Sequence, residues 1–453
     1  MKVKSIKSII SRNLEIKDDE VQLIKLALER IIDEIKNPKE ITKYLVNTKV
    51  NPFFRYSSIC MLLGESRVLL NDEIDWDDIS HQYMLEIKEG IENDYFKLTS
   101  SLFNGLAGIG FGVYALYKST LHYKKFIDTL NKIIITKTLE LIDTMDLNNL
   151  HMSTYDTISG LSGIVGYLLL FKEDSEIRKC VEKILDTLVL ITNDREVFGK
   201  KVAGWHIISE NQFLEEEKEL YKKGNFNLGI SHGITGVLAI LSIALREEVE
   251  VQGHKNAINR ILVDLKKYMY TDESGYIYWP ATIKFEDYIN GKCPIYKSRA
   301  SWCYGTPGIA RTMYLAGKAM NDNESVDIAI RAVEGLCNMR EDEWMLDSPT
   351  ICHGYAGLLT VIQAMYVDTK NPIFDMGRKK LLKRILSFYS NDAKFVFYNI
   401  DYDIDYNHPY SKKSKLVKKD DISLLEGASG IILSLLPFFK PITTDWMRHL
   451  LIS

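Results

Sequence analysis

Cys352-His353-Gly354-Tyr355-Ala356-Gly357-Leu358 is one of six places where the chain writes Gly-x-x-Gly, then an aliphatic residue, then an apolar stretch. The other five are Gly105-Leu-Ala-Gly108-Ile, Gly160-Leu-Ser-Gly163-Ile, Gly233-Ile-Thr-Gly236-Val, Gly305-Thr-Pro-Gly308-Ile and Gly427-Ala-Ser-Gly430-Ile. Successive first glycines lie 55, 73, 72, 49 and 73 residues apart. A period of that length predicts a supersecondary unit stacked on itself, here a helical hairpin. The segments that follow, such as Val113-Tyr-Ala-Leu-Tyr and Tyr167-Leu-Leu-Leu-Phe, are apolar nearly all round, so each needs burial on every side. Between them run amphipathic stretches, Lys124 to Met145 and Ser175 to Thr192 among them, which read as outer helices with one wet face. Six inner helices, each paired with an outer one, suit an all-α, double-layered α/α toroid. Small glycines at the inner helix starts would let backbones approach closely. An open solenoid is the rival, but it would leave inner helices uncovered and would require polar end caps.

The longer intervals carry about 20 extra residues each, judged against the shorter ones. These fall near 198–227, 271–299 and 393–418. Tyr, Ile and Phe alternate there with polar residues, as in Gly275-Tyr-Ile-Tyr-Trp-Pro280, and Asn290-Gly291 marks a turn. Short β-hairpins inserted at the rim of the toroid are expected. The division that follows is a toroid with its insertions over 101–453 and an N-terminal helical region over 1–100 that forms part of the toroid.

The 453 residues are 46% hydrophobic and 26% charged, an ordinary globular balance with ample material for a core. A net charge of -4 gives no broad attraction for nucleic acid. The basic run Lys412 to Lys419 reads as a solvated loop. Met1 to Glu20 lacks the apolar block of a signal peptide. The longest apolar run, Gly229 to Leu245, is short for a membrane span and carries His232, Thr235 and several Gly and Ser, so a buried helix is the better reading. A cytoplasmic protein without direct membrane insertion is therefore expected. Its six cysteines would be core residues, ligands or reactive thiols rather than disulfide halves.

Chemistry concentrates just before each first glycine. One place before it stand Asn104, Ser159, His232, Tyr304, His353 and Glu426, all polar; two places before it stand Phe103, Ile158, Ser231, Cys303, Cys352 and Leu425. If the repeats close into a ring, these slots converge on one end of a central funnel. Cys303 and Cys352 then occupy equivalent places in consecutive repeats, with His353 beside them. Two thiolates and an imidazole suit one zinc ion per chain, and three protein ligands leave the open fourth position of a catalytic site. A lone cysteine beside an apolar helix is usually a small core residue; two in matching slots, one of them next to His, argue for metal. His232 sits in the preceding slot, where an imidazole could exchange protons near neutral pH. Asp156 could accept a hydrogen bond from it and fix its tautomer, or could cap the neighbouring helix. Arg299, Trp302 and Tyr304 surround Cys303. They would line a peptide-binding cavity, or serve as a surface ion pair and a core aromatic.

Ser231-His-Gly-Ile-Thr-Gly, Trp302-Cys-Tyr-Gly-Thr-Pro-Gly and Cys352-His-Gly-Tyr-Ala-Gly, with Tyr155-Asp156 ahead of Gly160-Leu-Ser-Gly, resemble the lanthionine synthetase C-like (LanC) cyclases from about Leu102 onward. The first hundred residues carry no such motif and would supply one more helical hairpin or a leader-peptide contact. The resemblance implies an α/α toroid and zinc on Cys303, Cys352 and His353. It also implies catalytic roles for His232 and Asp156, and an Arg299 equivalent to the family's arginine before the first zinc cysteine. No region of dehydratase size precedes the repeats, so the likeness is to stand-alone cyclases of class I lantibiotic pathways. The substrate would be a precursor peptide with Ser and Thr already dehydrated, and the partners a dehydratase and an exporter that could bring the protein to a membrane. A substrate cysteine would add to dehydroalanine or dehydrobutyrine, closing a lanthionine or methyllanthionine thioether ring. Two alternatives are a LanC-like protein that binds or adds glutathione and a non-catalytic, zinc-stabilised peptide scaffold.

Overall fold

The computed structural model describes residues 17–48, 50–70, 74–402 and 415–453. Among them, seven inner helices form a ring: α3 (Phe53–Ser66), α5 (Leu106–Thr120), α7 (Leu161–Leu168), α9 (Ile234–Arg246), α11 (Thr306–Met320), α13 (Tyr355–Thr369) and α15 (Ala428–Leu435). Each packs on the next, and α15 packs back on α3, so the ring is closed. Each inner helix also packs on an outer one. The outer helices are α4 (Trp76–Asp94), α6 (Lys124–Asp143), α8 (Ser175–Ile191), α10 (His254–Lys267), α12 (Asn323–Asn338), α14 (Pro372–Leu386) and, closing the circle beside α15, α1 (Asp18–Ile35). A short α2 (Pro38–Asn47) bridges α1 and α4. This is the double-layered α/α toroid.

Six of the inner helices follow the six glycine motifs. The seventh, α3, has no such motif, which is why the repeat pattern misses it. Its small residue lies near the other end, where a Cβ on Gly64 would come within 2.5 Å of the Ala115 carbonyl oxygen. The inner helices start at glycine for a local reason. A Cβ on the second glycine of five motifs would strike the carbonyl oxygen of the residue six places earlier. The contacts are 2.0 Å at Gly108, 2.1 Å at Gly163, 2.3 Å at Gly308, 2.0 Å at Gly357 and 1.8 Å at Gly430. At Gly236 the nearest atom is instead Thr157 Oγ1, at 2.4 Å. The glycines therefore let each approach loop fold back over the first turn of its own helix, more than they let neighbouring helices close up.

Those loops are tied to one another. Phe103 N donates to Ile158 O (2.9 Å), Thr157 N to Ser231 O (3.0 Å), Ile230 N to Cys303 O (3.1 Å), Cys303 N to Cys352 O (3.3 Å) and Cys352 N to Leu425 O (2.9 Å). Leu424 N then donates to Ser58 Oγ on α3 (2.9 Å), and Ser57 Oγ to Gly108 O on α5. The acceptors of the first five bonds are all in the slot two places before a first glycine.

The C-terminal residues fill the middle of the ring. Trp302 Nε1 donates to Leu450 O (3.0 Å), Arg311 Nε to Ile452 O (2.8 Å), and the rings of Phe103 and Phe111 pack on His449 at 4.5 and 4.8 Å. Burial pushes the His449 imidazole down to about 3, so it is neutral.

The insertions are strands, but not all are local hairpins. β1 (Arg195–Val197) pairs with β2 (Lys200–Val202), and β4 (Tyr270–Thr271) with β5 (Ile277–Tyr278). β3 (Asn225–Asn227) instead pairs antiparallel with β6 (Thr282–Lys284), stitching the first two insertions together. Asn290-Gly291 ends a short helix, Phe285–Ile289, rather than making a hairpin turn. β7 (Tyr398–Tyr402) pairs with β8 (Leu416–Asp420). The basic run is thus partly strand, with Leu416 to Lys419 in β8, and its first residues, with the rest of 403–414, lie outside the described residues. No described helix is long and apolar enough to cross a membrane.

Gly357→Ala should lower the unfolding free energy by ~1–3 kcal/mol, the usual cost of overpacking. Gly335→Ala on α12, whose Cβ would meet the Tyr276 ring at 3.2 Å, should cost less. Urea denaturation followed by circular dichroism compares the two.

Candidate active site

Cys303 and Cys352 share the slot two places before their helices, and the bond from Cys303 N to Cys352 O sets them side by side. Their thiols are hydrogen-bonded to each other. Cys352 S–H donation holds the Cys303 thiol below the usual thiol range, helped by Ser301 Oγ at 3.5 Å. The same bond and burial push the Cys352 thiol well up. The shared hydrogen bond thus favours ionisation at Cys303 and a retained proton at Cys352. The other cysteines behave differently: Cys60 and Cys180 are buried, and burial pushes both thiols up.

His353 follows Cys352 in the chain. Its Nε2 is buried without a hydrogen-bond partner, and Asp401 Oδ1 stands 3.7 Å away. Two sulfurs and an imidazole are the donor types that zinc takes, so the chemistry of the set fits that ion. Among the described residues, no three His, Cys, Asp or Glu side chains are already gathered closely enough to enclose a metal.

In the previous repeat, His232 Nδ1 lies 2.6 Å from Asp156 Oδ2. Asp156 is fully buried, and its second oxygen accepts from Ser159 N (2.7 Å) and Gly160 N (2.8 Å) at the start of α7. The hydrogen bond to His232 is realised on one oxygen, while the other ties down the loop ahead of α7, whose N-cap, Gly160, has no side-chain cap bond. Buried polar atoms are costly unless hydrogen-bonded, and here both carboxylate oxygens have donors. Because the carboxylate accepts, Nδ1 carries a proton, and in the neutral ring Nε2 is the nitrogen with the free lone pair. The imidazole edge packs on Phe213 at 5.1 Å, a half-exposed ring from the first insertion. His232 itself remains 29% exposed, enough to meet a substrate.

The three residues around Cys303 divide. Tyr304 accepts a hydrogen bond from Asn227 Nδ2 (3.0 Å), lies against Gly229, and is kept a neutral phenol by burial. Arg299 is partly exposed, 3.9 Å from Asp347 Oδ2, the ion-pair reading. Trp302 is fully buried and bonded to Leu450, so its ring packs the core and offers no surface to a cavity. Sequence reasoning missed Asn227, Phe213 and Asp401. All three come from insertions, which have no place in the repeat alignment.

Fold and site together define a helical toroid with a thiol pair and an imidazole–carboxylate dyad at successive slots of its ring. The model of the lanthionine synthetase C-like protein family matches residues 56–451, and the chain belongs to that family. It is 29% identical over 399 residues to the nisin biosynthesis protein NisC of Lactococcus lactis subsp. lactis, covering 85% of this chain and 86% of that protein. It also superposes on a solved structure of nisin cyclase with a TM-score of 0.76 and 26% identity, over 92% of this chain and 96% of that one.

Two outcomes test the geometry. In metal-free protein, thiolate absorbance near 240 nm should rise by one group at a pH below that of an ordinary thiol, and Cys303→Ser should abolish that step. Asp156→Ala should cost ~1–3 kcal/mol in thermal or urea unfolding, because Ser159 N and Gly160 N lose their acceptor. Asp156→Asn, which keeps an oxygen for Ser159 N and Gly160 N, should stay nearer the wild type.

Proposed function

We propose that this protein is a zinc-dependent lanthipeptide cyclase. The observation that carries the reading is the side-by-side placement of Cys303 and Cys352, one ring slot from the His232–Asp156 dyad, in a chain of the lanthionine synthetase C-like family. Similarity to nisin cyclase supports the same reaction class.

Cys303, Cys352 and His353 would hold one zinc ion. When bound there, the metal supplies a Lewis acid that favours the thiolate form of a substrate cysteine. The protein's own groups do the rest. The substrate is a precursor peptide whose Ser and Thr have become dehydroalanine and dehydrobutyrine. The substrate sulfur forms a bond to the β-carbon of the dehydro residue, the double-bond pair moves toward the carbonyl, and the α-carbon takes a proton. His232 is the group that moves a proton at this site. Asp156 fixes Nδ1–H, so Nε2 faces the reactants, either taking the thiol proton first or delivering one to the α-carbon last. Tyr304, next to Cys303 in the same loop, would line the space around the reacting sulfur. The family resemblance implies a dehydratase that prepares the peptide and an exporter as partners, with the protein in the cytoplasm.

Incubation with a dehydrated, cysteine-containing peptide should close rings, read by mass spectrometry after alkylation of free thiols. Cys303→Ala and Cys352→Ala should each drop zinc well below one equivalent and stop ring closure. His232→Ala should keep zinc and fold but lose rate by about 10²–10⁴-fold, with Asp156→Asn also impaired. A His232→Ala protein with native rate and native ring pattern would leave only the scaffold role.

A further inference from the structure

The third insertion reaches the thiol centre. β7 is docked on the loop that carries Cys352 and His353. Ser348 Oγ, four residues before Cys352, donates to Asn399 Oδ1 (3.1 Å) and accepts from Ile400 N (3.1 Å). Thr350 Oγ1 also donates to Ser348 Oγ (3.1 Å). Ser348, Thr350 and Asn399 are all buried, so this is a built joint and not a surface contact. It fixes the next residue of the strand, Asp401, beside His353.

There Asp401 Oδ1 lies 3.7 Å from His353 Nε2, the ring nitrogen that is buried and has no hydrogen-bond partner. The same oxygen accepts from Tyr402 N at 2.8 Å, which restrains the carboxylate. A small rotation of either side chain closes the gap to an ordinary hydrogen bond of about 2.9 Å. The imidazole has two nitrogens, and each can serve one partner. If Nε2–H is committed to a carboxylate, only Nδ1 is left to bind a metal. A histidine ligand that donates its other N–H to a carboxylate is held in one tautomer and becomes a better donor.

We propose that Asp401 is a positioning residue for the metal centre: delivered by the β7–β8 insertion, it holds His353 Nε2–H and so assigns Nδ1 to the metal. The proposal rests on the zinc reading above and adds a residue outside the ligand set. It also gives the third insertion a task, coupling a rim element to the centre of the ring.

Zinc and cobalt affinity test it without any turnover. Metal-free protein is titrated with zinc against a chromophoric chelator, and with cobalt while its d–d absorption is recorded. Asp401→Ala should weaken zinc binding by about 10–100-fold and shift the cobalt bands. Asp401→Asn, which keeps a carbonyl oxygen for Nε2–H, should recover much of the loss. Ser348→Ala, which undoes the joint but leaves the carboxylate, should fall between. Native zinc affinity and a native cobalt spectrum in Asp401→Ala, with affinity still lost in Cys303→Ser, overturn the role of Asp401 and leave the zinc site standing. A wild-type protein that binds neither metal overturns both.

Discussion

A line of backbone hydrogen bonds between approach loops holds the site together. Each loop offers the carbonyl of the same repeat slot to the loop before it, from Ile158 through Ser231, Cys303 and Cys352 to Leu425. Each such bond is worth only about 0.5–1.5 kcal/mol net. Its larger consequence is positional, because residues in equivalent slots become neighbours whatever their separation in the chain. Cys303 and Cys352 are 49 residues apart in sequence and one hydrogen bond apart in the fold. The loops can lie this close over their helices because the second glycine of each motif has no Cβ to collide with the carbonyl folded above it.

The same ring sets the electrostatics. Asp156 is buried with both oxygens bonded: two backbone N–H groups and one imidazole N–H satisfy its carboxylate, and the last of these fixes His232. Burying two thiols together divides their behaviour, so one is readily ionised and its partner retains the proton. Elsewhere a buried titratable group without such partners is simply neutral, as at His449, whose role is to pack the axis between Phe103 and Phe111.

Much of this was legible in the sequence, because a repeat is a strong signal. The glycine motifs mark six inner helices, and the slots before them bring Cys303, Cys352, His353, His232 and Asp156 into view. What was not legible has physical causes. Helix α3 closes the ring without the motif, since its close contact is made by Gly64 near its end rather than by a folded-back loop. The pairing of β3 with β6 joins segments more than 50 residues apart, and no short-range turn signal announces it. Trp302 belongs to a site motif yet packs the core, since its indole meets a C-terminal carbonyl that sequence proximity could not suggest. Asp401 aligns with no repeat, and only the strand that carries it reveals where it goes.

In the proposed function the paired cysteines serve one metal that also takes the substrate sulfur. Zinc K-edge X-ray absorption on the purified protein measures this directly. It should give two sulfur neighbours at about 2.3 Å with nitrogen or oxygen neighbours at about 2.0–2.1 Å, and a third sulfur on addition of a dehydrated cysteine-containing peptide. A shell of nitrogen and oxygen alone, or a sulfur count that stays at two when the peptide binds, would contradict it.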